Sequence, residues 1–281
     1  MRILAGITAL LVACTPPTPG ADGGSPDLAQ PSNPTGLRTG LVMVQSNTAV
    51  GPLPAAASAA AQFSEFPAGM AAVEHTSSLG ACVLTIVESA SATGNKPRLA
   101  KTAGTVTISG GKKTVTLSGQ STFTDTMPLW NGGETLTIMA NGADVPAFTS
   151  QATAPSQVVV TAPVPTTSAM PTVAVDRTKD WTIAWTGGSA GSVRISLRFN
   201  TFQPGVYMTL LDCSYPSAGN SATIPQAVLQ QLPQGASGTI EIGAGGTQNV
   251  TAGDYAVSVS VQGYATWSTT GTPASASLQL N

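Results

Sequence analysis

In Gly104-Thr105-Val106-Thr107-Ile108-Ser109-Gly110-Gly111-Lys112-Lys113-Thr114-Val115-Thr116-Leu117-Ser118, apolar and polar residues alternate on both sides of a Gly-Gly pair. Alternation with a period of two is the pattern of a half-buried strand, and two such runs across a Gly-Gly turn predict a β-hairpin. Glu134-Thr135-Leu136-Thr137-Ile138-Met139 repeats the style after Gly132-Gly133. Working outward, the first half offers further strands at Leu41–Gln45, Cys82–Val87, Val145–Thr149 and Val158–Thr161. The second half offers Trp181–Trp185, Ser192–Phe199, Val206–Cys213, Gly238–Ile242, Tyr255–Val261 and Ala274–Leu280, with turn signals at Gly187-Gly188, Gly243–Gly246 and Ala252-Gly253-Asp254. Ala55–Gln62 is ambiguous between helix and strand, because its alanines suit a helix while Pro54 and Pro67 bracket it. Pro225 and Pro233 bracket Gln226–Leu232, which predicts a short helical connector near 225–232.

Short strands with regular turn signals argue for an all-β fold of β-sandwiches. A Pro-rich pause at Thr161-Ala162-Pro163-Val164-Pro165 suggests two tandem domains, 37–163 and 164–281. Trp181, Ile183 and Trp185 share one face of their strand and read as core. Trp130 sits beside Asn131-Gly132-Gly133, and Trp267 lies near Tyr264 in Gly263-Tyr264-Ala265-Thr266-Trp267. These three aromatics, Trp130, Tyr264 and Trp267, are the candidates for exposed ligand contacts.

Composition narrows the class. Charged residues are only 9% of the 281, with 11 basic against 13 acidic. Ser, Thr and Gly stand where charges usually do, as in many exported β-proteins. No basic run exists, so nucleic acid is not an expected partner.

The N-terminus supplies an address. Arg2 precedes a short apolar run from Ile3 to Val12, which ends in Leu11-Val12-Ala13-Cys14 and breaks at Thr15-Pro16-Pro17. A charge, a short apolar stretch and a small residue before the cut form a secretory signal. That stretch is shorter than the roughly 20 residues of a membrane span. The Leu-Val-Ala-Cys ending resembles the lipobox of bacterial lipoproteins, which implies a signal peptide over 1–13 and a lipidated Cys14 at the mature N-terminus. Thr15, where an Asp would mark inner-membrane retention in such lipoproteins, leans toward the outer membrane. Without Arg2 the 11 basic residues become 10 against 13 acidic, so the mature body is slightly acidic. Residues 14–36 then form the lipid anchor and a tether with Pro at 16, 17, 19, 26, 31 and 34 and no aromatic. Such a segment is expected to stay disordered, with a reach of about 25 Å as a coil and about 70 Å as a polyproline-like rod.

The body carries a second resemblance. Gly133-Glu134-Thr135-Leu136-Thr137, Val145-Pro146-Ala147-Phe148, Asp180-Trp181-Thr182-Ile183-Ala184-Trp185-Thr186, Cys213-Ser214-Tyr215-Pro216 and Thr223-Ile224-Pro225 stand in order along the chain. Together they resemble predicted lipoproteins of Gram-negative bacteria built as paired β-domains behind a lipobox. The Trp-Thr strand is also similar to immunoglobulin-like and fibronectin-like sandwiches. The resemblance implies a fold and an anchor, and no activity comes with it.

Reactive residues are few. His75 is the one histidine, so any Ser-His-acid arrangement would run through it, and no Gly-x-Ser-x-Gly elbow precedes a helix to support it. His75 and the cysteines lack the spacing of a zinc site, and no phosphate-binding loop occurs; no metal or cofactor is expected. Nothing in the spacing of the carboxylates selects a catalytic pair. Cys82 and Cys213 remain after lipidation, and two readings stay open: a disulfide favoured by an oxidising compartment, or two buried free thiols. The leading expectation is a structural or interaction lipoprotein of the bacterial envelope, held to the membrane through Cys14 and facing an envelope protein or polysaccharide. A carbohydrate-binding or adhesive module is the alternative, and a carboxylate-dependent hydrolase the third.

Overall fold

The computed structural model describes residues 37–49, 54–66, 73–88, 98–166, 171–200 and 206–281. The signal, Cys14 and the tether lie outside the described residues. The strands of the first half are β1 (Leu37–Asn47), β2 (Ala56–Phe66), β3 (Val73–Leu79), β4 (Cys82–Glu88), β5 (Leu99–Lys101) and β6 (Thr105–Ser109). They continue as β7 (Val115–Ser118), β8 (Thr122–Asp125), β9 (Thr135–Ala140), β10 (Phe148–Thr153) and β11 (Val158–Ala162). The second half adds β12 (Thr172–Val175), β13 (Trp181–Gly187), β14 (Ser192–Asn200), β15 (Val206–Pro216) and β16 (Ser221–Ile224). One turn of helix, α1 (Gln226–Leu229), precedes β17 (Ser237–Ala252), β18 (Tyr255–Trp267) and β19 (Ser275–Leu280). The chain is all-β, and its sheets pack face to face without closing into a barrel.

Two hydrophobic cores fill the body. In the first, the ladder β18–β1–β2, extended by β5 and β8, packs on a separate sheet of order β10-β9-β6-β7. Val42 and Val44 of β1, Phe63 of β2 and Val257 and Val259 of β18 meet Ile108, Leu117, Leu136 and Ile138 from the opposite sheet. The rings of Phe63 and Phe148 cross between the layers with centroids 6.2 Å apart. In the second core, β14, β15, β4 and the first part of β17 face the ladder β16-β13-β11-β18. Ile195, Leu197 and Phe199 are buried there against Ile183, Trp185 and Trp267. Each such side chain, fully withdrawn from water, contributes about 1.5–3 kcal/mol. Trp185 satisfies its polar edge by donating Nε1–H to the Ser217 carbonyl at 2.6 Å.

The 163/164 boundary does not divide the molecule as the Pro-rich pause suggests. All described residues fall within one compact unit. β1 pairs in parallel with β18, and β4 pairs with β15, so strands from before the pause hydrogen-bond to strands after it. Cys82, Leu84, Val158 and Val160 belong to the second core, while Ala252 to Val261 contribute to the first. A hydrophobic face is completed by whichever strands lie beside it in space, and the order along the chain does not record that.

Three local readings also change. Gly243–Gly246 lies within β17 and is no turn. From Ala56 on, the Ala55–Gln62 stretch belongs to β2, where Ala57, Ala59, Ala61 and Phe63 alternate inward; burial against β1 overrides the helical preference of alanine. Val145 is buried but bonds to Thr102 in a loop, and the strand begins only at Phe148 because Pro146 has no N–H to give a ladder. The helical connector forms where Pro225 and Pro233 place it, with Val228, Leu229 and Leu232 buried beneath.

Candidate functional site

The β17–β18 hairpin is the element both cores share, and the site lies where its strands part. From Ser237 to Glu241, β17 pairs with β19; from Gly243 onward it pairs with β18. β18 runs beside β1 as far as Gln262, then joins β11 from Ala265. The exchange of partners needs close backbone approach. Gly245 has φ of +140°, and a Cβ on it would stand 2.1 Å from the Val261 carbonyl oxygen. A Cβ on Gly263 would stand 3.3 Å from the Ser46 carbonyl oxygen. Glycine is the residue that permits such crossings inside a strand.

Two cavities open at this fork, and Gly263 and Tyr264 line both. The larger, about 340 Å³, has Arg194, Arg198 and Glu241 among its lining residues. Arg194 is held by Asp212 at 2.8–2.9 Å through Nη2 and Nε. The smaller, about 260 Å³, is lined without any charged residue among those described. Its walls are the apolar surfaces of Trp130, Pro128 and Pro155, and its polar lining is hydroxyls and amides. Ser46, Thr48 and Thr266 supply hydroxyls, while Asn47, Asn131 and Gln157 supply amides.

The structure brings two of the three candidate aromatics together. Trp130 lines the smaller cavity but is buried, at 5% exposure, as part of the first core, so it is not the exposed contact expected; Tyr264 stands between the two cavities with 40% of its surface exposed. Trp267 lines neither cavity: it is a core residue of 1% exposure, in the row that includes Val257, Val259, Val261 and Ala265. Tyr264 and Thr266, two residues apart on β18, share the opposite face. Thr266 escaped the sequence reading, as did Gln157 and Asn131. Trp181 is half-buried and packs against the second core.

Cys82 and Cys213 form a disulfide between directly opposed residues of β4 and β15. The Tyr215 hydroxyl lies 3.7 Å from Cys82 Sγ and donates to the Thr223 carbonyl at 3.2 Å. Burial pushes the Tyr215 phenol above its ordinary pKa.

The acidic groups are engaged one by one. Glu65 accepts from Lys101 at 3.1 Å and Arg38 at 3.5 Å, and the Lys101 hydrogen bond, more than any other influence, holds its carboxyl below the usual range. Arg38 also reaches Asp254 at 2.9 Å. Glu134 accepts from the backbone N–H and side-chain amide of Asn131, which lower its pKa in that order. Asp176 is held far below its ordinary value, first by the Thr178 hydroxyl and then by Lys179. Asp180 accepts from the backbone N–H of Gln226 at the start of α1. Among the described carboxylates only Glu241 lines either of the two cavities, so neither brings two described carboxylates together. His75 lies on β3, away from both. No group of three or more His, Cys, Asp or Glu suited to a metal occurs among the described residues.

Compared with protein-family models, curated proteins and solved structures, the chain matches none.

Proposed function

We propose that the chain is a lipid-anchored protein of the bacterial envelope, carrying an all-β body on a tether and presenting the fork between β17 and β18 to another envelope component. The observation that carries this reading is Leu11-Val12-Ala13-Cys14, placed at the end of the apolar run and followed at once by a Pro- and Gly-rich segment. A single acyl chain gives marginal membrane binding, whereas several chains on one cysteine, at about 0.8 kcal/mol per buried CH₂, make a stable anchor. A further observation supports it. The body also carries an exposed tyrosine between two cavities, which suits recognition at a surface.

Replacing the lipidated residue tests the anchor. Cys14→Ser, expressed as the full chain, is expected to move from the membrane fraction to the soluble fraction and to lose incorporation of labelled palmitate. Retention in the membrane fraction by Cys14→Ser overturns the reading.

A further inference from the structure

We propose that the smaller cavity binds one neutral sugar ring of an oligosaccharide, with Tyr264 and Trp130 against the ring and Thr266 hydrogen-bonded to one of its hydroxyls. This rests on the reading of the fork as a displayed binding surface, and it names the class of ligand.

The first ground is Thr266. The residue is 2% exposed and lines the cavity, and its Oγ1 has no hydrogen-bond partner among the described residues. It is the one buried side-chain oxygen or nitrogen among them left in that state. A buried hydroxyl with no partner is unfavourable, and native structures resolve such groups with a ligand or a bound water. A hydroxyl both gives and accepts a hydrogen bond, which is what a sugar hydroxyl requires of a partner.

The second ground is the character of the lining. A phosphate, a carboxylate or an ammonium group would enter a cavity whose described lining residues offer no opposite charge to compensate its lost hydration. A neutral polyhydroxylated ring does not pose that problem. Its C–H face suits Tyr264, Trp130 and Pro155, and its rim suits amides and hydroxyls. Two amides keep bonding capacity facing this chemistry. Gln157 Oε1 accepts from Thr48 at 2.8 Å, which leaves its NH₂ to donate; Asn131 Nδ2 donates to Glu134 at 2.8 Å, which leaves its Oδ1 to accept.

The third ground is size and continuity. A volume of about 260 Å³ lies just under the lower bound of sites for drug-sized ligands, roughly 300 Å³, and suits a single ring. The adjoining larger cavity begins on the other side of Tyr264, so the next unit of a chain has a place to go.

The test is calorimetric titration of the full chain, in a zwitterionic detergent free of sugar, with four tetrasaccharides: cellotetraose, maltotetraose, chitotetraose and anionic tetragalacturonate. At least one of the three neutral probes is expected to bind, and the anionic probe is expected not to. Tyr264→Ala is expected to weaken binding about tenfold or more, the loss of one ring contact. Thr266→Val preserves shape and removes the unpaired hydroxyl, so it is expected to raise Tm while weakening binding about fivefold. A purely structural Thr266 would give the rise in Tm without the loss of affinity, and that result overturns the proposal. So does binding of the anionic probe alone, binding indifferent to both substitutions, or no binding of any neutral probe at millimolar concentration. The titration reads the cavity whether or not Cys14 is lipidated, and fractionation of Cys14→Ser reads the anchor whether or not sugar binds.

Discussion

Gly245 carries more of this fold than its size suggests. Its φ of +140° is closed to other residues, and the Val261 carbonyl stands where a side chain would begin. Gly245→Ala is expected to destabilise the protein by about 3 kcal/mol, read as a lower urea midpoint with unchanged slope. Gly219, which has open space where a Cβ would go, is the matched control, and Gly219→Ala should stay within about 0.5 kcal/mol of the parent. Equal effects at the two positions would show that the strand crossing does not depend on glycine. The aromatic candidates divide by a rule that the sequence already contained. Tyr255, Val257, Val259, Val261, Ala265 and Trp267 fall on one parity of β18, while Tyr264 and Thr266 fall on the other. Extending the alternation of Tyr255–Val261 through Gly263 places Trp267 in the core and Tyr264 outside it. Thr266 had no comparable signal, because its role depends on what surrounds its hydroxyl.

At the scale of elements, strand formation was legible wherever alternation was strong, as in β6, β7, β9 and β14. The readings that changed share one cause, a local residue preference outweighed by a neighbour distant in sequence. Gly243–Gly246 resembles a turn until β14 and β18 are placed on either side of it. The alanines of β2 resemble a helix until β1 offers eleven pairing partners. The cysteines follow the same logic, since a bridge and two free thiols both stayed open in the sequence, and the pairing of β4 with β15 opposed Cys82 to Cys213. Alkylation of the denatured, unreduced protein is therefore expected to modify neither Cys82 nor Cys213, and both after reduction. Modification of both without reductant would remove the bridge. The cross-link closes a loop of 131 residues, so reduction is expected to lower stability by about 2–4 kcal/mol.

At the scale of the molecule, the shared hairpin makes the two cores interdependent. The first core lacks Val257, Val259 and Val261 without the C-terminal half, and the second lacks Val158, Val160 and the disulfide partner Cys82 without the N-terminal half. Expressed separately, residues 37–163 and 164–281 are each expected to show no cooperative thermal unfolding, while the two co-expressed should assemble into a complex that does. Two independently cooperative halves would restore the tandem-domain arrangement. Polar alternation, turn chemistry and the scarcity of charge determined from the sequence alone that the chain is all-β, because each acts within a few residues. The sequence also marked Trp130, Tyr264 and Trp267 alike as candidates for exposed contacts, of which only Tyr264 is exposed. Which strands share a sheet, where the cores divide, whether the cysteines bond, and how Trp130, Tyr264 and Thr266 come to line one cavity were decided only in the tertiary structure. The reason is physical: hydrogen-bonded ladders and buried faces are satisfied by neighbours in space, and β1 and β18, more than two hundred residues apart, have no local trace of each other.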